Sequence, residues 1–149
     1  MARPSLLPRG DAQVYRAARC ETWIWTPSPG ILVTEVAGDL TVGAAAALSA
    51  ALRRMVVNGP RVHVFHDWEE MTDYAPAARV ELTEVGKEFT KQIAMSNILL
   101  RSKIVALAVQ AASLLVPNIR VHLSRHSLDA ALRQAMPSGP SPSASPKPR

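Results

Sequence analysis

The apolar residues of this chain change period at residue 41, and that change commits the chain to a mixed α/β architecture. Before it, "ETWIWTP" at 21–27 alternates, with Thr22, Ile24 and Thr26 on one face and Trp23 and Trp25 on the other, the pattern of a strand. "SPG" at 28–30 supplies a turn and "ILVTEVAGDL" returns as a second strand, so the two are expected to form a hairpin. Beyond it, in "TVGAAAALSAALRRMVVNG", Val42, Ala45, Leu48, Leu52 and Met55 recur at helical spacing. Thr41 is the expected N-cap and Asn58-Gly59 the stop.

The same two periods continue to residue 136. "RVHVFHD" at 61–67 is dense in apolar residues, as a strand covered on both faces is. Pro76 suits the first turn of a second helix, where its missing N–H has no helical partner. Leu82, Val85, Phe89 and Ile93 form that helix's inner stripe, and Glu81, Glu84, Lys87 and Lys91 its wet side. "KIVALAV" is expected to be a buried strand, "QAASLL" a helical turn, "IRVHL" a last strand and "SLDAALRQAM" a final helix capped by Ser127. The resulting order, β-β-α-β-α-β-(α)-β-α, gives a mixed sheet of about five strands that begins with a hairpin and carries three to four helices.

The formal net charge is +5, but it is unevenly placed. Residues 1–19 hold four arginines against one aspartate, and the end of the chain holds Lys147 and Arg149, whereas residues 20–136 contain eleven basic and eleven acidic side chains. A neutral body lacks the footprint needed to grip a phosphate backbone, so no nucleic-acid partner is expected. The expected organisation is a basic arm at 1–19, one domain at 20–136 and a disordered Pro/Ser-rich tail at 137–149. Cys20 is the lone cysteine, which rules out an internal disulfide. The amino terminus lacks a secretory apolar stretch, and "IVALAVQAASLLV" at 104–116 falls short of the roughly 20 residues a bilayer requires, so a cytoplasmic, non-membrane protein is expected.

No pattern in the chain carries recognisable catalysis. There is no nucleophile elbow and no phosphate-cradling glycine loop, and Glu69 and Glu70 are merely adjacent. His63 and His66 are three apart on a strand, hence on opposite faces, and His122 and His126 straddle the end of another, so neither a metal nor a cofactor is expected.

The stretch "HVFHDWEEMTDYAP" at 63–76 stands out: a buried strand runs into Asp67, Glu69, Glu70 and Asp73 with Trp68 among them. Such a stretch reads as an acidic loop at the carboxyl end of a strand, where open α/β sheets present binding groups. Trp68 would anchor a partner there, or else cover the edge of the core. Trp23, Trp25, Phe65 and Phe89 would line an apolar cavity if one exists. Trp23 and Trp25 would drive homodimerisation if the hairpin lies at a sheet edge.

The element order, with "GILVTEVAGDLT", "VHVFHDWEEMTDYAPAARVEL", "SKIVALAV" and "IRVHLSRHSLDAALRQA", resembles the SpoIIAA-like branch of the STAS superfamily, whose best-known members are anti-anti-sigma factors. The resemblance implies a non-enzymatic regulatory domain that binds a protein partner, a regulator or a kinase, through the loop and helix start after the central strand. Here that surface would comprise Trp68, Glu69, Glu70, Thr72, Asp73 and Arg79. Ala75, Pro76 and Ala77 stand where signalling members carry an Asp-Ser-Ser type motif, so the usual phospho-acceptor is absent; Thr72 and Tyr74 are the nearest hydroxyls. The competing expectation is a small-ligand or lipid-binding protein with an apolar cavity between sheet and helices.

Overall fold

The computed structural model describes residues 9–57, 59 and 61–137. Its six-stranded sheet has the order β1-β2-β3-β4-β5-β6, so strand order equals chain order. The strands are β1 (Gln13–Ala17), β2 (Cys20–Ser28), β3 (Ile31–Leu40), β4 (Val62–Tyr74), β5 (Ile93–Leu100) and β6 (Ile119–His122). The helices are α1 (Val42–Val57), α2 (Pro76–Glu88), α3 (Lys103–Ala112) and α4 (Arg125–Ala135). The first three strands are antiparallel neighbours, and β3 to β6 are parallel.

Chain chemistry explains most of these choices. The β2–β3 hairpin closes through Pro29-Gly30, with Ser28 opposite Ile31 and Gly30 at a φ of 79°. Proline followed by a positive-φ glycine is the type II turn signature. Thr41 caps α1 as expected, its Oγ1 accepting from the Ala44 N–H at 3.1 Å. Each parallel connection crosses over through one helix, and successive crossovers of one hand, advancing one way across a sheet, stack their helices on one face. Accordingly, Leu48, Leu52, Val85 and Val105, from α1, α2 and α3, share a core with Ile24, Leu32, Val36, Val64 and Ile98. The opposite face is covered by α4, whose Leu128 and Leu132 pack on Trp25, Ile31, Val33, Phe65 and Leu99.

Four expectations change. Residues 13–17, assigned to the basic arm, are an edge strand paired with β2. Tyr15 pins that strand to α1, its ring filling the space where a side chain at Gly43 would stand. The arm therefore belongs to the fold from Arg9 onward, while residues 1–8 and 138–149, including nearly all of the expected tail, lie outside the described residues. The second helix ends at Glu88, and Ile93, placed in its stripe, instead begins β5. "KIVALAV", expected as a strand, lies in α3, capped by Ser102 accepting from the Val105 N–H at 3.3 Å. A short apolar run fits a buried strand and a buried helix alike, whereas the strand "IAMSNILL" is disguised by Ser96 and Asn97. Finally, Ser124 rather than Ser127 caps α4.

Gly38 marks the tightest backbone approach. Its φ is 85°, and a Cβ there would fall inside contact distance of the Arg19 carbonyl oxygen, which also accepts from the Asp39 N–H at 2.6 Å. Gly38→Ala is therefore expected to lose at least about 2 kcal/mol in urea denaturation. An unchanged midpoint would mean that the β1–β2 turn yields freely.

Candidate functional site

The site is organised by β4, which is longer than its sequence pattern suggests. Its pairing with β3 runs from Ile31↔His63 to Leu40↔Tyr74, with register shifts between Glu35 and Ala37 and between Gly38 and Asp39. At each shift β4 carries one more residue than β3, which is a β-bulge. Every bulge reverses the side-chain parity, so Val64, His66, Trp68, Met71 and Tyr74 all face the α1–α3 layer. The stretch expected to be an acidic loop is thus strand throughout.

These inward residues form one wall of an apolar cavity of about 120 Å³. Leu82, Val85 and Gly86 of α2 and Val105, Ala108, Val109 and Ala112 of α3 form the opposite wall, and Arg79 and Thr83 also border the space. On the sheet side His66, Tyr74 and Ser96 bring polar atoms to the wall, and His66 is held in a chain of hydrogen bonds. The Trp68 indole N–H donates to Thr34 Oγ1 at 3.1 Å, and Thr34 Oγ1 lies 2.7 Å from His66 Nδ1. The imidazole and indole rings also stack, with centroids 4.4 Å apart. His66 is half-buried by exposed area, but the area it keeps borders an apolar space, so burial dominates and pushes its pKa down to about 3. The ring is neutral at physiological pH.

The opposite face of β3–β6 carries a row of paired polar groups. Asp67, fully buried, accepts from Arg125 Nη1 at 2.9 Å, and the same guanidinium reaches Glu69 at 3.6 Å. Beside it in register, Glu35 is gripped by both Arg9 Nη2 at 2.9 Å and Arg9 Nε at 3.4 Å, while that guanidinium stacks 3.9 Å over the Trp23 ring. At the far end, buried His122 lies 2.6 Å from Ser127 Oγ and 2.9 Å from Asn97 Oδ1. Burial, followed by the charge of Arg120, lowers the His122 pKa. Arg125 and Ser127 thus tie α4 to the sheet, and Arg9 ties the segment before β1 to it.

The structure separates the expected binding residues. Glu70, Thr72, Asp73 and Arg79 are exposed at the end of β4 and the start of α2, and Glu69 is half-buried. Of the two readings of Trp68, surface anchor and cover for the edge of the core, the structure has the second: it is 5% exposed and packs in the core, sharing the even spacing of Val64 and His66. Trp25 is likewise buried, Trp23 is half-buried under Arg9, and β2 is covered by β1, so the hairpin presents no open edge for the expected self-association through Trp23 and Trp25. The cavity is real but lined by other residues: Trp23, Trp25, Phe65 and Phe89 are absent from its walls. His66 and Arg79 are the cavity residues that pattern reading missed as a pair; the even spacing of 64, 66 and 68 was the available signal. Among the described residues, no group of three or more His, Cys, Asp or Glu is placed to hold a metal. No helix is long and apolar enough to cross a membrane.

This arrangement, a mixed sheet with three helices on one face and the carboxyl end of a central strand leading into α2, is the SpoIIAA-like (STAS) fold. The chain is similar to the anti-sigma factor antagonist SpoIIAA in its unphosphorylated form, at 15% identity and a TM-score of 0.59 over 78% of this chain and 99% of that one. It is also similar to a DUF3478-family protein with a SpoIIAA-like fold from Shewanella loihica PV-4, at 14% identity and a TM-score of 0.56 over 81% of this chain and 91% of that one. No protein-family model matches the chain, and no curated protein matches it.

Proposed function

We propose that this chain is a non-enzymatic binding domain whose ligand is a small apolar molecule held between the sheet and α2–α3. The observation that carries this reading is the cavity. Its walls are almost wholly aliphatic or aromatic, with the His66 ring as a polar handle on the strand side. Ligand sites combine a mostly apolar lining with a few oriented polar groups. A space of about 120 Å³ suits one ring or a short chain, since an apolar cavity of about 150 Å³ takes up benzene. Native mass spectrometry of protein purified gently from its own host is expected to show added mass of up to a few hundred daltons that a denaturing spectrum lacks. A bare protein, with no such mass under any gentle condition, would count against the cavity as a ligand site.

A second reading is favoured by the overrun of β4. Pairing with β5 stops at Trp68↔Leu100, whereas β4 continues to Tyr74 and turns directly into α2. Glu70, Thr72, Asp73 and Arg79 are thereby raised as one exposed ridge, at the region through which the resemblance to anti-sigma factor antagonists implies partner contact. In this reading the domain is a regulatory module for a protein partner. The same spectra test it, because a co-purifying protein would be retained by the natural chain and lost from an Asp73→Lys, Arg79→Glu variant.

A further inference from the structure

Resting on the ligand-binding reading, the hydrogen-bond pattern around the cavity narrows the class of ligand. The indole N–H of Trp68 is a donor only, so Thr34 Oγ1 accepts from it. Thr34 is fully buried, and among the described residues the one acceptor placed for its own hydroxyl hydrogen is His66 Nδ1, at 2.7 Å. Nδ1 is therefore the acceptor nitrogen of the neutral ring, and Nε2 carries the hydrogen. Among the described residues no group accepts from that Nε2–H, although His66 borders the cavity. The cavity thus offers a fixed donor and no charge to match it on the strand side.

The second group is Arg79, on the first turns of α2. It is exposed, it borders the cavity, and among the described residues no carboxylate pairs with it. Arg101 and Arg120 likewise pair with no carboxylate among the described residues, whereas Arg9, Arg53 and Arg125 are held by Glu35, Glu88 and Asp67; Arg79 is the arginine that borders the cavity. A guanidinium at the rim of an apolar space that also has a donor on its wall selects for a molecule with an apolar body and an anionic, oxygen-bearing head.

We infer that the cavity binds a small apolar monocarboxylic acid whose carboxylate is taken by the Arg79 guanidinium, with the His66 Nε2–H as a second donor to the same carboxylate. The volume limits the apolar body to about one aromatic ring or a short aliphatic chain. Trp68 lines the same wall and supplies a local reporter.

The test is an NMR titration of the ¹⁵N-labelled chain, following the Trp68 indole N–H assigned through a Trp68→Phe variant. Phenylacetate, hexanoate and the uncharged phenylacetamide are the probes, each raised to about 10 mM. The two acids are expected to move the Trp68 resonance saturably, with phenylacetamide at least about tenfold weaker. Arg79→Gln, an exposed substitution that leaves the fold intact, is expected to erase that difference. If acid and amide bind equally, the carboxylate preference is overturned while the cavity stands as a ligand site. If no probe moves Trp68, or if an Ala108→Phe variant with its cavity filled responds as the natural chain does, the ligand site is overturned with it.

Discussion

Replacing Arg125 by alanine is expected to destabilise the domain by about 3 kcal/mol, a larger effect than its place at a helix start would suggest. The reason is Asp67, which has no exposed surface and whose Oδ2 is 2.9 Å from the Arg125 guanidinium. Removing one partner of a buried ion pair leaves the other charge desolvated, at a cost of about 3–5 kcal/mol. The low end applies because the Arg125 side chain keeps 28% of its surface. An Asp67→Asn, Arg125→Ala double variant should recover much of the loss, since the buried charge is then gone. Urea denaturation of the two single variants and the double variant decides the matter; equal losses in Arg125→Ala and in the double variant would place the effect in α4 itself.

Acid should weaken the domain well above the usual carboxylate range. His66 has its pKa lowered to about 3 in the folded chain, against about 6.5 when unfolded, because burial penalises the imidazolium. Between those values the unfolded chain binds the extra proton, so stability falls as pH falls. The expected slope from this residue is about 1.4 kcal/mol per pH unit, beginning below about pH 6.5. His122 adds to the slope in the same direction, its pKa being lowered by burial and then by Arg120. Denaturation midpoints measured from pH 7.5 downward should show the decline, and His66→Gln should flatten it by about one proton. A ring that titrates near 6.5 in the folded protein would contradict the assignment.

The order from β2 through α2, and the closing β6–α4 pair, were legible from the sequence, and the reason is physical. The hairpin, α1 and its Thr41 cap each depend on residues close in the chain, so local pattern suffices for them. What local pattern missed depends on contacts made elsewhere. β1 has a poor strand period and exists because β2 offers it an edge and Gly43 offers Tyr15 a seat. The α3 run could be strand or helix on composition, and its Ser102 cap decides. The candidate site suffered most, because the two bulges in β4 change the inward spacing from two residues to three after Trp68. That change made a continuous strand look like a loop. The exposure of Glu70, Thr72, Asp73 and Arg79 was legible, since polar and charged side chains are seldom buried without partners.

The agreement of strand order with chain order bears on how the domain comes into being. Each strand after β1 leaves the ribosome with one of its neighbours already made, directly upstream, and no strand has to be threaded between two others. Pairing therefore never waits for a distant segment, and the sheet can grow from its amino-terminal edge at the pace of synthesis. The last element among the described residues, α4, then closes the face bearing Phe65 and Leu99. Until it does so, a nascent chain arrested before residue 125 would display that apolar face to whatever chaperone is at hand.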